Sequence, residues 1–483
     1  MRRFITKEDV YALAQRGEQE LRLEEGAHVT DIAQETADHL GVKLVRGAAV
    51  ATPAPVQEIP SAKGSRRIPL QGQSRPSVMP GPASKVEGVV PTVTSSPFTD
   101  EELHSWRKEF PSLEATIHLA NCSQGAQSRT VSAAVDNYMD NWLRAGADWD
   151  YWVEEVNAAK AEFARLIGAE PGEVAVVSSV SEAVSTVASA LDYTSKRRRV
   201  LLTEAEFPTV GHVWLAHQKY GAQVDYVPVR GGKLHLEDYR PRLDDRTALV
   251  SVTHVYYQNG FKQDLKAVTD LVHEHGSMIL VDAYQGAGTC PLNVKELGVD
   301  IFTTGNLKYL LGIPGIAFMY VRPEIIPALH PAATGWFGQQ NPFAFRVKEL
   351  DYAHEARRME GGTPPVTAAF AARAGMEFIN QVGLDRIGQH IDYLSYHCLN
   401  EALARNLKVV SPLDVREKGA TTAIEVPGDS HAVEVALKAR QVVCSARGTV
   451  IRVAPHFFNT TGEIDTALDE LVAVLKNSAG ALA

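Results

Sequence analysis

The chain has 483 residues, 45% of them hydrophobic and 22% charged, with a net charge of −10. A single core stops growing near ~250–300 residues, so this length implies two globular domains and a smaller part. The acidic balance argues against a general nucleic-acid binder, whose footprint is basic. Residues 1–47 read as a small helical module. Thr6 is placed to cap a helix through Ala14 that Gly17 closes, and Thr30 to cap a second over 31–40 that Gly41 stops, before a short strand at 42–45. So short a piece barely sustains its own core, which points to a docking or targeting role.

Residues 48–96 carry a series of prolines from Pro53 to Pro91 and few large apolar side chains. That composition does not repay chain entropy and predicts a flexible or polyproline-like linker. From 97 onward, short β-rich runs at 173–178, 199–203, 224–227, 248–253, 277–282, 301–304 and 316–321 are separated by helical patterns such as 210–219 and 265–275. The alternation predicts an α/β domain over 97–345, with a mostly parallel seven-stranded sheet between layers of helices. Residues 346–483 predict a smaller α+β domain ending in an amphipathic helix near 464–475.

Ligands in such folds sit beyond the carboxyl ends of the strands. Asp282, Thr303 and Lys308 fall there, and Gln285 follows Asp282 by three residues. A Lys that can form a Schiff base, with a carboxylate that can keep a pyridine nitrogen protonated, is the kit pyridoxal phosphate (PLP) requires. Ser178-Ser-Val-Ser181 joins a strand to a helix and offers a helix N-terminus to a phosphate, or a simple N-cap. Phe207 follows the next strand, where an aromatic can stack on a flat ring or fill a core. Thr253-His-Val-Tyr-Tyr-Gln-Asn259 loads polar groups onto another strand end, with His254, Tyr256 and Tyr257 all candidates. Arg452, inside the apolar run 449–454, needs a carboxylate partner from an amino-acid substrate or from the protein itself.

Together these runs resemble the class V aminotransferase superfamily of fold type I PLP enzymes, over roughly 115–475. The branches in view are the cysteine desulfurase, selenocysteine lyase, isopenicillin-N-epimerase-like and kynureninase-like ones. The resemblance implies that Val180 and Ser181 hold the cofactor phosphate, Phe207 stacks on the ring, Asp282 pairs with its nitrogen and Gln285 reaches its hydroxyl. Lys308 is the implied Schiff-base lysine. Gly362 and Thr363 match a turn that in relatives reaches the neighbouring subunit's phosphate, implying a homodimer. Arg452 is the implied carboxylate anchor, with Asn121 and His254 beside the substrate.

Many relatives carry Ser three residues before the lysine and His directly before it. Gly305 and Leu307 stand there in this chain, so Thr303, Thr304 or Asn306 is expected to compensate. The expected chemistry is deprotonation at Cα of an amino acid, followed by cleavage of a Cβ–S or Cβ–Se bond. Aminotransferase, epimerase and kynureninase-like hydrolase reactions are the alternatives, and a non-catalytic assembly protein is a third reading. Cys122 is the better-placed candidate for a sulfur acceptor, Cys444 the poorer. The four cysteines show no CxxC spacing, which indicates neither a disulfide scaffold nor a zinc site. No stretch approaches the ~18 apolar residues of a membrane span. The expected setting is cytoplasmic, free or inside a larger protein assembly or microcompartment.

Overall fold

The computed structural model describes residues 4–5, 10–11, 13–14, 16, 18–23, 28–29, 31–46, 88–90 and 93–480. The chain divides into two compact units, residues 1–79 and 80–483. In the first, Ile5, Val10, Leu13, Leu23, Ala33, Ala37 and Val42 form a small core. Residues 10–11 and 13–14 are helical, and a helix spans Asp31–Leu40. The expected caps Thr6 and Thr30, like Gly17, lie outside the described residues.

This unit is mixed rather than purely helical. Glu20–Leu23 pairs in parallel with Lys43–Arg46, and Phe4–Ile5 with His28–Val29. The sequence Glu20-Leu-Arg-Leu23 alternates polar and apolar residues with the period of a strand, and Leu23 is buried where Arg22 is exposed. Most of the proline-rich stretch 48–96 lies outside the described residues. Near its end, the Val90 N–H donates to the Leu413 carbonyl at 3.1 Å and the Val90 carbonyl accepts from Val415 at 3.2 Å.

The second unit is built on the seven expected strands: β1 (Val174–Val177), β2 (Arg199–Thr203), β3 (Gln223–Val227), β4 (Thr247–Thr253), β5 (Met278–Asp282), β6 (Ile301–Gly305) and β7 (Ala317–Val321). Their order across the sheet is β1-β7-β6-β5-β4-β2-β3. All pairings from β6 to β3 are parallel, and β7 alone runs against its neighbours. All but the edge strand β3 are buried on both faces, which explains their largely apolar runs. Two of the connecting helices matter below: α1 (Val180–Ala190) after β1, and α2 (Pro208–Ala216) after β2.

A second, antiparallel sheet orders Lys408–Val409, Thr422–Glu425, Val450–Val453 and Ser445–Arg447. Helix Thr461–Gly480, which contains the expected amphipathic stretch, closes the chain. Its buried Ile464, Leu468 and Leu471 join the core of this sheet.

One buried ion pair ties a helix to the segment before Gly361. Lys160 Nζ lies 3.0 Å from Glu360 Oε1, and the same oxygen accepts the Val176 N–H of β1 at 3.0 Å. Both side chains are more than nine-tenths buried. Removing one member of such a pair strands the other charge, at a cost of about 3–5 kcal/mol. Lys160→Met is therefore expected to lower the thermal midpoint by several degrees. Adding Glu360→Met should recover most of the loss, whereas an unchanged midpoint in the single variant would show that the pair carries little.

Candidate active site

The carboxyl ends of β4, β5 and β6 open on a cavity of about 520 Å³, a size that suits a small cofactor with its substrate. Its lining includes Val180, Ser181, Phe207, Asp282, Gln285, Lys308 and Arg452 among the residues singled out above. Asp282 ends β5. Its Oδ1 accepts the Tyr284 N–H at 2.9 Å, and burial raises its pKa above the usual carboxylate value, with Tyr284 and Lys308 pulling the other way. A cation in contact with Asp282 would hold it ionised. Gln285 donates from Nε2 to the Cys122 carbonyl at 2.9 Å, and its buried Oε1 has no partner.

Lys308 lies just past β6. Its Nζ is 3.9 Å from the Tyr284 ring centre and 5.9 Å from that of Phe207. Burial lowers its pKa to about 8, opposed by Asp282 and Cys122 and assisted by Arg452 and Arg447. The neutral, nucleophilic form is therefore far more populated near neutral pH than in an ordinary lysine.

At the other end of the cavity, Ser179 caps α1, its side chain accepting the Glu182 N–H at 3.1 Å. Glu182 in turn accepts the Ser178 N–H at 2.8 Å and the Ser178 hydroxyl. Ser181 Oγ and Thr209 Oγ1, from α2, are 2.6 Å apart. Four hydroxyl residues, Ser178, Ser179, Ser181 and Thr209, and a helix N-terminus line the cavity there, a ready seat for a phosphate. Phe207 precedes α2, is 41% exposed, and meets Tyr257 edge-on at 5.3 Å.

Arg452 is 1% exposed. Nη1 donates to the Tyr257 carbonyl at 2.8 Å, and Nη2 to Ser123 Oγ at 3.0 Å and Ser445 Oγ at 2.6 Å, while Nε has no partner. Among the described residues no carboxylate lies within ion-pair distance of it. A buried guanidinium without a counter-charge is costly unless a ligand supplies one.

The remaining candidates lie elsewhere. Thr304 Oγ1 bonds to the Gly305 carbonyl at 2.9 Å and Thr303 Oγ1 to that of Phe318 at 3.1 Å. Asn306 is fully buried against Gly312, its side-chain atoms unpartnered. His254 packs so tightly on Gly286 that a side chain there would collide with its ring, and burial lowers its pKa to about 3. Asn121 Nδ2 donates to the Ala454 carbonyl at 2.9 Å. Gly362 and Thr363 lie exposed on a turn before helix Val366–Val382. Tyr257 and the Ser178–Ser179 turn, both marked by their place at a strand end, line the cavity as well. Conversely, Tyr284, Thr209, Ser123 and Arg447 line it without having been singled out as site residues.

A carboxyl at a strand end, an unpartnered amide oxygen, an exposed aromatic, a lysine and a phosphate seat share one cavity, and PLP fits this set. They define a fold type I PLP enzyme. The chain belongs to the aminotransferase class-V family, whose sequence profile matches residues 129–463. It is 41% identical to an uncharacterized aminotransferase of Bacillus subtilis, over 76% of this chain and 97% of that one. A kynureninase of Pseudomonas fluorescens is 27% identical over 71% and 85%, and a probable cysteine desulfurase of Streptomyces coelicolor 26% over 76% and 95%. Among solved structures, a cysteine desulfurase of Thermococcus onnurineus NA1 superposes with a TM-score of 0.71 at 22% identity, covering 79% of this chain and 100% of the other. The cystine C–S lyase C-DES gives a TM-score of 0.69 at 18%, over 75% and 99%. At those identities the structural likeness establishes the fold.

The depressed pKa of Lys308 makes a direct prediction. The rate at which apoprotein captures PLP should climb with pH and level off above about 8, where the amine is neutral. Stopped-flow absorbance reads it, and an inflection near the ordinary lysine value would show that the cavity does not perturb Lys308.

Proposed function

We propose that this enzyme binds an α-amino acid in the cavity and cleaves its Cβ–S or Cβ–Se bond. Arg452 carries the reading: it is buried, without a carboxylate partner among the described residues, in the same cavity as Lys308. An amino acid brings the missing carboxylate, and bidentate pairing with the guanidinium fixes its orientation. PLP, when bound, supplies an electron sink for charge developed at Cα. Lys308 Nζ takes the Cα proton, which its lowered pKa permits. Asp282 holds positive charge beside it, and the apolar walls Val180, Val255, Leu307 and Ile316 keep water from the reacting atoms. Gly362 and Thr363, exposed in one chain, are assigned to the neighbouring site of a homodimer.

Two products separate lyase from desulfurase. Loss of the β-substituent from L-cysteine yields pyruvate, ammonia and sulfide, whereas transfer of sulfur to a protein thiol leaves alanine. Cys122 lines the cavity; Cys444 is buried away from it, and burial pushes its thiol pKa up. A second reading, transamination, is favoured by the name of the Bacillus subtilis relative.

Purified holoenzyme given L-cysteine is expected to release pyruvate and sulfide in equal amounts. Alanine with a persulfide that Cys122→Ser abolishes would mean a desulfurase, and no reaction without an added 2-oxo acid would mean an aminotransferase. Arg452→Leu should raise KM for the amino acid by ~30-fold or more, the ~2 kcal/mol or greater typical of truncating one partner of a buried charge pair. The visible band of the bound cofactor should remain. An unchanged KM would remove Arg452 from the substrate.

A further inference from the structure

Gly305 and Leu307 leave the stretch before Lys308 without side-chain hydroxyl or imidazole groups, and Thr303, Thr304 and Asn306 do not supply one to the cavity. The space is filled from another strand. A Cβ at residue 305 would collide with Cζ and the hydroxyl of Tyr284, so the phenol lies directly over the Gly305 backbone. Tyr284 stands two residues beyond Asp282, and Gly305 two beyond Thr303, the residue paired with Asp282 in the ladder. The Tyr284 side chain thus leaves the end of β5 and crosses β6.

The next two strands in that direction are β7 and β1. Gly305 pairs with Ala317, and Ala317 with Val177, so all three lie in one row across the sheet. Val177 is followed at once by Ser178, Ser179 and α1. At ~4.8 Å per strand, the Tyr284 hydroxyl lies roughly 10 Å across the sheet from that helix N-terminus. Tyr284 and, at that N-terminus, Ser178, Ser179 and Ser181 line the same cavity. No hydrogen bond to this hydroxyl is found among the described residues. Burial, and secondarily Asp282, raises its pKa to about 12, so it remains a donor through the working range.

We propose that Tyr284, seated in the space that Gly305 leaves open, donates its hydroxyl to the phosphate of the cofactor and closes the phosphate seat opposite Ser178–Ser181. The inference rests on the assignment of PLP to this cavity. Tyr284 holds the anion from the β5 side, while its ring face receives the Lys308 amine at 3.9 Å. One residue then relates the position of the phosphate to that of the reacting nitrogen.

The test compares PLP with pyridoxal, which has the same ring and aldehyde but no phosphate. Apoprotein binding is read by quenching of intrinsic fluorescence and by the visible absorbance of the bound form. Tyr284→Phe keeps the ring and removes one oxygen. It is expected to raise Kd for PLP about tenfold or more, as for a lost hydrogen bond to a charged group, and to leave Kd for pyridoxal unchanged. Gly305→Ala, which evicts the phenol from its seat, should give the same selective loss. Equal weakening toward both compounds would place Tyr284 against the ring and overturn the proposal, as would wild-type PLP affinity in either variant. If the wild-type protein binds neither compound, the assignment of PLP fails instead, an outcome distinct from failure of the Tyr284 role.

Discussion

The site depends on the register of β5 between its two parallel neighbours. Asp282 stands opposite Thr253 on one side and Thr303 on the other. The ladder continues one step past the strand end: the Asp282 carbonyl accepts the His254 N–H at 2.8 Å, and the Thr303 carbonyl accepts the Ala283 N–H at 2.9 Å. These bonds fix where the chain leaves the sheet and so where Asp282, Tyr284 and Gln285 point. Because side chains alternate faces, a slip of one residue would carry Asp282 out of the cavity. β6, paired beside it, ends at Gly305, and Lys308 follows three residues later to line the same cavity as Asp282.

The second constraint is electrostatic. Lys308, Arg452 and Arg447 line the cavity, against one carboxylate, Asp282. Positive charge in excess, with Arg452 buried, makes the pocket receptive to anionic groups at both ends: phosphate near α1 and carboxylate near Arg452. Each guanidinium also disfavours the protonated form of Lys308. The groups that attract the ligands therefore help to keep the amine nucleophilic.

Much of this was legible in the sequence. Six of the seven strands announced themselves as short apolar runs because both their faces are covered, and the half-exposed edge strand β3 through its β-rich Val224-Asp-Tyr-Val227. Asp282, Gln285 and Lys308 could be read from strand-end position and chemistry. Direction was harder to read. Thr304 and Asn306 stand as near to Lys308 as any polar residue, yet one bonds to its own backbone neighbourhood and the other packs on Gly312. In a sheet buried on both sides, apolar character does not tell which way a side chain at the strand end turns. His254 was ambiguous for the same reason, and its ring lies against Gly286 while Val255 and Tyr257 line the cavity. In the N-terminal unit the strand expected at 42–45 is present as Lys43–Arg46, but the other three were missed because strands two to four residues long carry too few periods to outweigh helix caps.

The contact between Tyr284 and Gly305 also has a consequence for how this protein can change. The two positions are 21 residues apart in sequence but share one volume, so neither is free to vary alone. Any side chain at 305 requires the phenol to leave first, and once the phenol has gone the glycine is left with a hole beside it. A path between this arrangement and one with a serine at 305 must pass through an intermediate that is either overfilled or hollow. That makes the pair a steric ratchet, and an aromatic at the first position together with glycine at the second is a mark by which other chains built on the same solution can be recognised from their letters alone.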